Sequence, residues 1–166
     1  MKRKLIKVQF RRKKEKKTDY KKRFILLKSK EPRLVIRKTN KYIIVQVVKS
    51  KEAQDSTICY ANSKELAKFG WNFSFKNIPA AYLTGFLIAK KAKEKGIKKV
   101  IIDTGLYRST KGSKIYAVVK GVFDYGLDIK FKEDVLPSED RIQGKHTKRV
   151  NEINKKINEI KELIKK

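Results

Sequence analysis

The sequence contains few of the residues from which metal centres and disulfides are built, and it has no long apolar run. Its 166 residues include one cysteine and one histidine. One cysteine excludes a disulfide framework and a Cys-based zinc site within one chain, and one histidine excludes a poly-His metal site. No run of about 18 apolar residues is present, which excludes a transmembrane helix, and the first residues lack the apolar stretch of a signal peptide. We therefore expect an intracellular, cytoplasmic protein with no metal, no cofactor and no membrane partner.

Acidic residues are also scarce relative to basic ones. The chain holds 45 Lys and Arg against 17 Asp and Glu, which gives a formal net charge of +28. Hydrophobic residues make up 40% of the chain, so a folded core is expected rather than full disorder. A compact domain repels itself at such a charge, and solubility does not require so much of it. The composition therefore favours a polyanionic partner and gives no reason to expect a small-molecule substrate.

Nearly half of the excess charge lies in an N-terminal arm, residues 1–30, which holds 15 basic and 2 acidic residues. The densest run spans residues 11–17 and is typical of a solvated arm, because it cannot form a core. A short helix is predicted over about 19–29, with Thr18 as its N-cap. The side chains expected to anchor the arm to the body share one face of this helix: Tyr20, Phe24 and Leu27.

A body over residues 31–130 follows the arm. Its β-branched runs and helical periods predict the element order β-β-β-α-β-α. The predicted strands cover residues 33–37, 42–48, 56–60 and 99–103. The two predicted helices start near Pro79 and Ser113 and end before Gly96 and Gly126. This order implies the α/β class, and we expect a three-layer α/β/α domain with a mixed sheet.

The C-terminal region, residues 131–166, divides into two parts. Residues 131–144 look extended and loop-like, and an amphipathic helix is predicted over 145–165. Its apolar stripe consists of Val150, Ile153, Ile157, Ile160 and Ile164. The stripe covers barely two heptads, which is too short for a coiled coil. We expect it to pack on the body or on a neighbouring protein.

Candidate catalytic residues are few. Asp103-Thr104-Gly105 follows a predicted buried strand and resembles the aspartyl protease signature, in which two aspartates share a proton. One copy would require a dimer, and that family is nearly all-β, so we favour an Asp103 that ends its strand and bonds loop amides. A metal-dependent ribonuclease would need converging carboxylates, whereas Asp124 and Asp128 fall at a helix end and beyond it. We therefore expect no enzyme, no catalytic residue and no metal ligand.

Five segments, in order along the chain, resemble one known family. They are residues 17–23, 33–41, 79–85, 103–113 and 133–144. On these motifs the chain is similar to the archaeal and eukaryotic branch of large-subunit ribosomal protein eighteen, the universal binder of 5S ribosomal RNA. The resemblance implies a three-layer α/β fold, assembly into the central protuberance and no catalysis. It also implies a glycine where Lys16 stands and a Gly-rich loop where residues 73–76 stand.

The resemblance and the charge together nominate an RNA-binding set. The arm and the first hairpin would face 5S ribosomal RNA, and loops including 104–112 would reach RNA nearby. The residues expected to contact phosphates are Arg11, Arg12, Lys13, Lys14, Lys16, Lys17, Lys21 and Arg23. Those expected to read RNA shape are Arg33, Arg37, Lys38, Asn40, Lys41 and Tyr42. Further candidates are Arg108, Lys111 and Arg141, and Tyr20 stays open between stacking on a base and packing in the arm.

The expected function is that of a structural component of the large ribosomal subunit. It would bind 5S ribosomal RNA and help attach it to the large ribosomal RNA, beside neighbouring ribosomal proteins. The first alternative is a sequence-nonspecific protein that compacts nucleic acid, and the second is a dimeric aspartyl protease that uses Asp103.

Overall fold

The computed structural model describes residues 8–52, 54–147 and 149–165. The strands are β1 (Arg33–Lys38), β2 (Ile43–Lys51), β3 (Gln54–Asn62), β4 (Lys99–Asp103) and β5 (Asp128–Ile129). The helices are α1 (Arg11–Lys14), α2 (Tyr20–Lys28), α3 (Ile78–Glu94), α4 (Lys114–Asp124), α5 (Glu139–Ile142) and α6 (Val150–Lys165). Two 3₁₀ helices cover Ser63–Phe69 and Glu133–Val135.

The five strands form one mixed sheet in the order β3-β2-β1-β4-β5. β1 and β2 form the predicted antiparallel hairpin, with Arg33 opposite Val48 and Lys38 opposite Ile43. β4 runs parallel to β1, and β5 runs parallel to β4. The predicted order β-β-β-α-β-α and the mixed sheet are therefore confirmed. The sequence analysis missed β5, since two residues are too few to show a pattern.

The main core lies between one face of the sheet and helices α3 and α4. Alternate residues of β2 enter it, including Val45 and Val47, as period-two burial requires. α3 and α4 touch backbone to backbone. A Cβ on Gly85 would lie 2.2 Å from the carbonyl oxygen of Val118, and a Cβ on Gly121 would lie 2.1 Å from that of Tyr82. Only glycine fits at these two points.

α2 lies over the opposite face of the sheet and supplies the third layer, so the three-layer α/β/α arrangement is confirmed. The expected apolar anchor is wrong, however, because no residue of α2 is buried and Phe24 is 61% exposed. The expected N-cap is also wrong. Asp19 caps α2 by accepting a hydrogen bond from the backbone N–H of Lys22 at 3.0 Å, while Thr18 Oγ1 accepts from Nε of Arg12 at 2.9 Å.

Two loop predictions also need correction. The strands β2 and β3 extend beyond their predicted ranges, 42–48 and 56–60. β2 continues to Lys51, and β3 already begins at Gln54. The segment 131–144, expected to be extended, contains a 3₁₀ turn and α5, whose Ile142 is buried.

α6 starts at Val150, later than predicted, and packs on α3. Its four buried residues are Ile153, Ile157, Ile160 and Ile164. The stripe read from the sequence is therefore a docking face, and its partner is the body of the same chain.

Candidate nucleic-acid interface

The basic run of the arm stands in solvent. α1 has no buried residue, and every side chain from Arg11 to Lys17 is exposed. Glu15 takes up part of this charge, since it pairs with Nε of Arg11 at 3.7 Å and with Nζ of Lys17 at 2.9 Å. Within the described residues, the members of the predicted phosphate-contacting set that form no ion pair are Arg12, Lys13, Lys14, Lys16 and Lys21. These cations are available to an external anion.

Lys16 has φ of +51°, in the left-handed region. That is the position where the family resemblance implies glycine, the residue that enters this region at no steric cost. The chain therefore places a positive charge at a bend that glycine would enter without strain.

Polar contacts join α2 to the sheet. Nζ of Lys22 donates to Oγ1 of Thr104 at 3.2 Å and to the carbonyl oxygen of Gly105 at 3.0 Å. Nη1 of Arg23 donates to Oδ2 of Asp55 at 2.8 Å. Arg23, predicted to contact phosphate, is thus committed in part to holding the arm in place. Lys22, which the prediction left out, helps to attach it.

Beneath α2 lies a buried ion-pair network centred on Arg33. This side chain is 2% exposed, and its guanidinium donates to Oδ2 of Asp103 and to Oδ1 of Asp55, both at 2.7 Å. It also donates to Oγ of Ser50 at 3.0 Å. The prediction that Arg33 reads RNA shape therefore needs correction. Its charge is used inside the protein, because the guanidinium is closed off from solvent and pairs with two carboxylates, and breaking a buried ion pair is costly.

Asp55 links this network to the arm. Burial raises its pKa, but hydrogen bonds from Arg23, Ser50 and Arg33 outweigh burial and lower the pKa to about 2. Asp55 therefore stays ionised at physiological pH. Sequence reasoning missed it because Asp55 looked like a loop residue.

Asp103 ends β4 and accepts a hydrogen bond from the backbone N–H of Gly105 at 2.9 Å, as the favoured interpretation predicted. Both of its oxygens also face cations, since Arg37 Nη2 lies 3.4 Å from Oδ1 on the other side from Arg33. A protease aspartate shares a proton with a second aspartate. Asp103 instead forms ion pairs with Arg33 and Arg37, so the geometry does not support the protease alternative.

The tip of the β1–β2 hairpin presents the rest of the first-hairpin set. Lys38, Asn40 and Lys41 are exposed, and Tyr42 is half-buried with its ring 6.1 Å from that of Phe75. Thr39 holds the turn, because its backbone N–H donates to the carbonyl oxygen of Tyr42 at 2.8 Å and its Oγ1 accepts from the Tyr42 N–H at 2.9 Å. The turn is therefore ordered in the absence of any partner.

The loop 104–112 joins this tip. The hydroxyl of Tyr107 donates to the carbonyl oxygen of Lys38 at 2.8 Å, and Nζ of Lys38 lies 5.1 Å from the Tyr107 ring centre. Arg108 is exposed in the same loop. Lys111 is exposed as well but pairs with Asp134 at 2.8 Å. The structure thus brings the hairpin tip and this loop together.

Lys114, at the start of α4, belongs to a cationic cluster that the prediction missed. Burial lowers its pKa, and the nearby charges of Lys76 and Lys38 lower it further. Three lysines that repel one another attract an anion. The signal was present in the sequence, since the basic segment 110–114 leads into a helix N-terminus.

Arg141 is exposed on α5 but does not join the other candidates. α5 packs on α3, which covers the face of the sheet opposite to α2. Any RNA contact of Arg141 would involve a different surface from that of the arm.

Two features of the described part of the chain concern metal binding and membrane insertion. No group of three or more His, Cys, Asp or Glu side chains there is arranged to hold a metal ion. Among the helices of the same residues, none combines the length and the apolar composition needed to cross a membrane.

Comparison with the sequences of known proteins gives matches over most of the chain. The family model for the ribosomal large subunit proteins 60S L5 and 50S L18 matches residues 4–98 and 91–132. The large ribosomal subunit protein uL18 of Korarchaeum cryptofilum is 55% identical over 140 residues, which cover 84% of this chain and 72% of that protein.

Two further relatives carry the same description. The uL18 protein of Caldivirga maquilingensis is 51% identical over 141 residues, 84% of this chain and 68% of the relative. That of Methanoregula boonei is 45% identical over 163 residues, 96% of this chain and 94% of the relative. The chain therefore belongs to the uL18 family of large-subunit ribosomal proteins, and it is a structural component of the cytoplasmic ribosome and not an enzyme.

Proposed function

We propose that this protein binds 5S ribosomal RNA through its N-terminal arm and first hairpin, and that it helps attach this RNA to the large ribosomal RNA in the central protuberance. The observation that carries the proposal is the distribution of unpaired charge. Five of the eight predicted phosphate-contacting cations form no ion pair in the described residues, while the buried Arg33 pairs with both Asp55 and Asp103.

The arm supplies affinity. Each Lys or Arg that neutralises a phosphate releases counterions, which gives a log–log salt slope of about −0.7 to −0.9 per contact. If all five unpaired cations engage, the slope from the arm alone is roughly −3.5 to −4.5. Binding should therefore weaken steeply as salt is raised.

The hairpin tip and the loop beside it supply selectivity. Lys38, Asn40 and Lys41 project from an ordered turn, and Arg108 projects from the loop bonded to it. Amide and guanidinium groups can hydrogen-bond the edges of unpaired bases and ribose hydroxyls. A fixed arrangement of such groups favours a folded RNA over a uniform duplex.

The test compares 5S ribosomal RNA with duplex DNA of equal length, at about 0.15 M salt. We expect clearly tighter binding to the RNA, since charge alone serves both ligands but only the RNA offers loops. Equal affinity would contradict the proposal and support the alternative of a sequence-nonspecific compacting protein.

A second test uses the variant Asn40→Ala, which removes an amide of the hairpin tip without changing the net charge. The duplex serves as the control ligand. The exposed side chain of Asn40 should matter for the RNA and not for the duplex. We expect RNA affinity to fall by about tenfold, the loss typical of one specific hydrogen-bonding contact, while duplex affinity stays constant.

A further inference from the structure

The arm carries a groove with one apolar side that the fold itself does not fill. Tyr20, Phe24 and Leu27 form the apolar side on one helix face. The polar side consists of Arg12, Thr18, Arg23 and Asp55, and the volume of the groove is about 700 Å³. This lies within the range of ligand pockets, roughly 300–1,000 Å³. The apolar surface continues to Phe10, whose ring centre lies 5.1 Å from that of Tyr20.

The aromatic side chains of the arm are unusually exposed. Phe10 is 70% and Phe24 is 61% exposed, and their neighbours Val8 and Ile25 are exposed as well. Phe24 meets no other ring in the described residues, and Nζ of Lys28 lies 4.9 Å from its ring centre. Phe123, by contrast, is 49% exposed and packs edge-to-face on Phe131 at 5.1 Å. A contiguous apolar patch of this kind on a folded protein marks a binding surface.

The charge around the groove selects its occupant. Arg12 lines it and forms no ion pair in the described residues, and the one lining carboxylate, Asp55, is already paired with Arg23 and Arg33. Exposed cations of α1 and α2 lie nearby in the chain. A protein segment with an apolar face would gain nothing from so many cations unless it were also acidic. Single-stranded nucleic acid carries flat apolar bases and regularly spaced anions on the same strand, which matches both features.

We propose that this groove binds an unpaired base of the RNA, stacked on the aromatic rings of Tyr20 and Phe24, with Phe10 extending the platform. The inference rests on the proposed function and deepens it. It adds Phe10 and Phe24 to the binding residues, and it resolves Tyr20 as a stacking residue. The cations around the groove hold the adjacent phosphates.

The test uses the full chain with Phe10→Leu and Phe24→Leu combined. Leucine keeps an apolar side chain and removes the ring. Because base–aromatic stacking contributes about 5- to 150-fold to affinity per base, we expect 5S ribosomal RNA to bind at least about fivefold more weakly. The salt slope should stay unchanged, since no charge is removed. The control Phe123→Leu should leave affinity unchanged, and Phe24→Trp should retain it.

A second measurement detects the base itself. 5S ribosomal RNA is prepared with 2-aminopurine at single unpaired positions, and stacking on an aromatic ring quenches its fluorescence. We expect the wild-type protein to quench at least one position and the double variant not to do so. The melting temperature should be the same for both proteins, because the two side chains are exposed.

The possible outcomes distinguish base stacking in the groove from the proposed binding of 5S ribosomal RNA. If the wild-type protein prefers the RNA but the double variant binds equally well and no position is quenched, the inference is overturned and the proposed function stands. That result would assign the groove to a protein neighbour. If the wild-type protein shows no preference for 5S ribosomal RNA, both are overturned.

Discussion

The two terminal helices are attached to the body by opposite means. α6 buries four isoleucines against α3, whereas α2 buries no residue and is held by hydrogen bonds from Lys22 and an ion pair from Arg23. Salt does not screen apolar burial, whereas partly exposed ion pairs weaken as salt rises. The attachment of α6 should therefore withstand raised salt, and the attachment of α2 should loosen.

The two modes of attachment follow from the side chains that each helix turns toward the body. α6 completes the fold, so its charged residues face solvent and its apolar stripe faces inward. α2 turns cations and aromatic rings toward solvent, and the hydrogen bonds and the ion pair that join it to the sheet come from Lys22 and Arg23. The ion pair between Arg23 and Asp55 attaches the arm to the sheet while the residues of α2 stay unburied.

The largest effect is expected from Ile160→Ala in α6. Ile160 is 0% exposed, and removing a buried branched side chain costs about 2–5 kcal/mol in the free energy of unfolding. Urea unfolding measures it. The matched control is Leu163→Ala on the same helix, which is 48% exposed and should cost at most about 0.5 kcal/mol. Equal costs would show that α6 is not docked by its stripe.

A smaller effect, confined to binding, is expected from Lys13→Ala combined with Lys14→Ala, two lysines that form no ion pair in the described residues. Both side chains are exposed, so the melting temperature should be nearly unchanged. The salt slope for RNA binding should become shallower by about 1.4–1.8 for two lost phosphate contacts.

Its control is Lys155→Ala with Lys165→Ala, which removes the same charge from the exposed side of α6 and should leave the slope intact. A large fall in the melting temperature of the arm variant would show that the arm belongs to the core, and the contrast between the two helices would be lost.

The smallest effect concerns the pH dependence of the arm attachment. The pKa of Asp55 is about 2 in the folded protein, below the ordinary value of 3.8 for an aspartate side chain. The carboxylate therefore stabilises the fold above about pH 4, and this contribution disappears as the pH falls toward 2. Because the side chain is about a third exposed, we discount the contribution for solvent screening to about 1 kcal/mol.

Asp55→Asn isolates this contribution from the other carboxylates. The difference in unfolding free energy between wild type and variant should be about 1 kcal/mol at pH 7 and close to zero near pH 2. A difference that stays constant across this range would mean that Asp55 does not act through its charge.

Local patterns predicted most of the elements. The boundaries of β4 were predicted correctly, because Lys99 to Asp103 is a short apolar run between clear breaks. The helical period also identified the face of α6. The N-cap of α2 was assigned to Thr18 instead of Asp19, since two adjacent capping residues cannot be ranked by pattern alone. The two-residue β5 gave no signal at all.

The functional residues were harder to sort than the elements. Alternation along β1 places Arg33 and Arg37 on one face of the sheet but does not say what covers that face. In the structure Arg33 is buried between Asp103 and Asp55, while Arg37 stays partly exposed. Phe24 was expected inside the arm–body contact and lies outside it, because helical spacing identifies a face and not its neighbour.

The sequence by itself determined the net charge of +28, its concentration in the arm, the period of each main element and, through five ordered motifs, the family. Only the tertiary structure decided which cations are paired inside the protein and which stay exposed at its surface. Arg33 and Asp103 are 70 residues apart in the chain and meet because β1 and β4 are neighbours in the sheet. Composition records how many charges a chain has, whereas burial and pairing depend on strand order, which no local pattern contains.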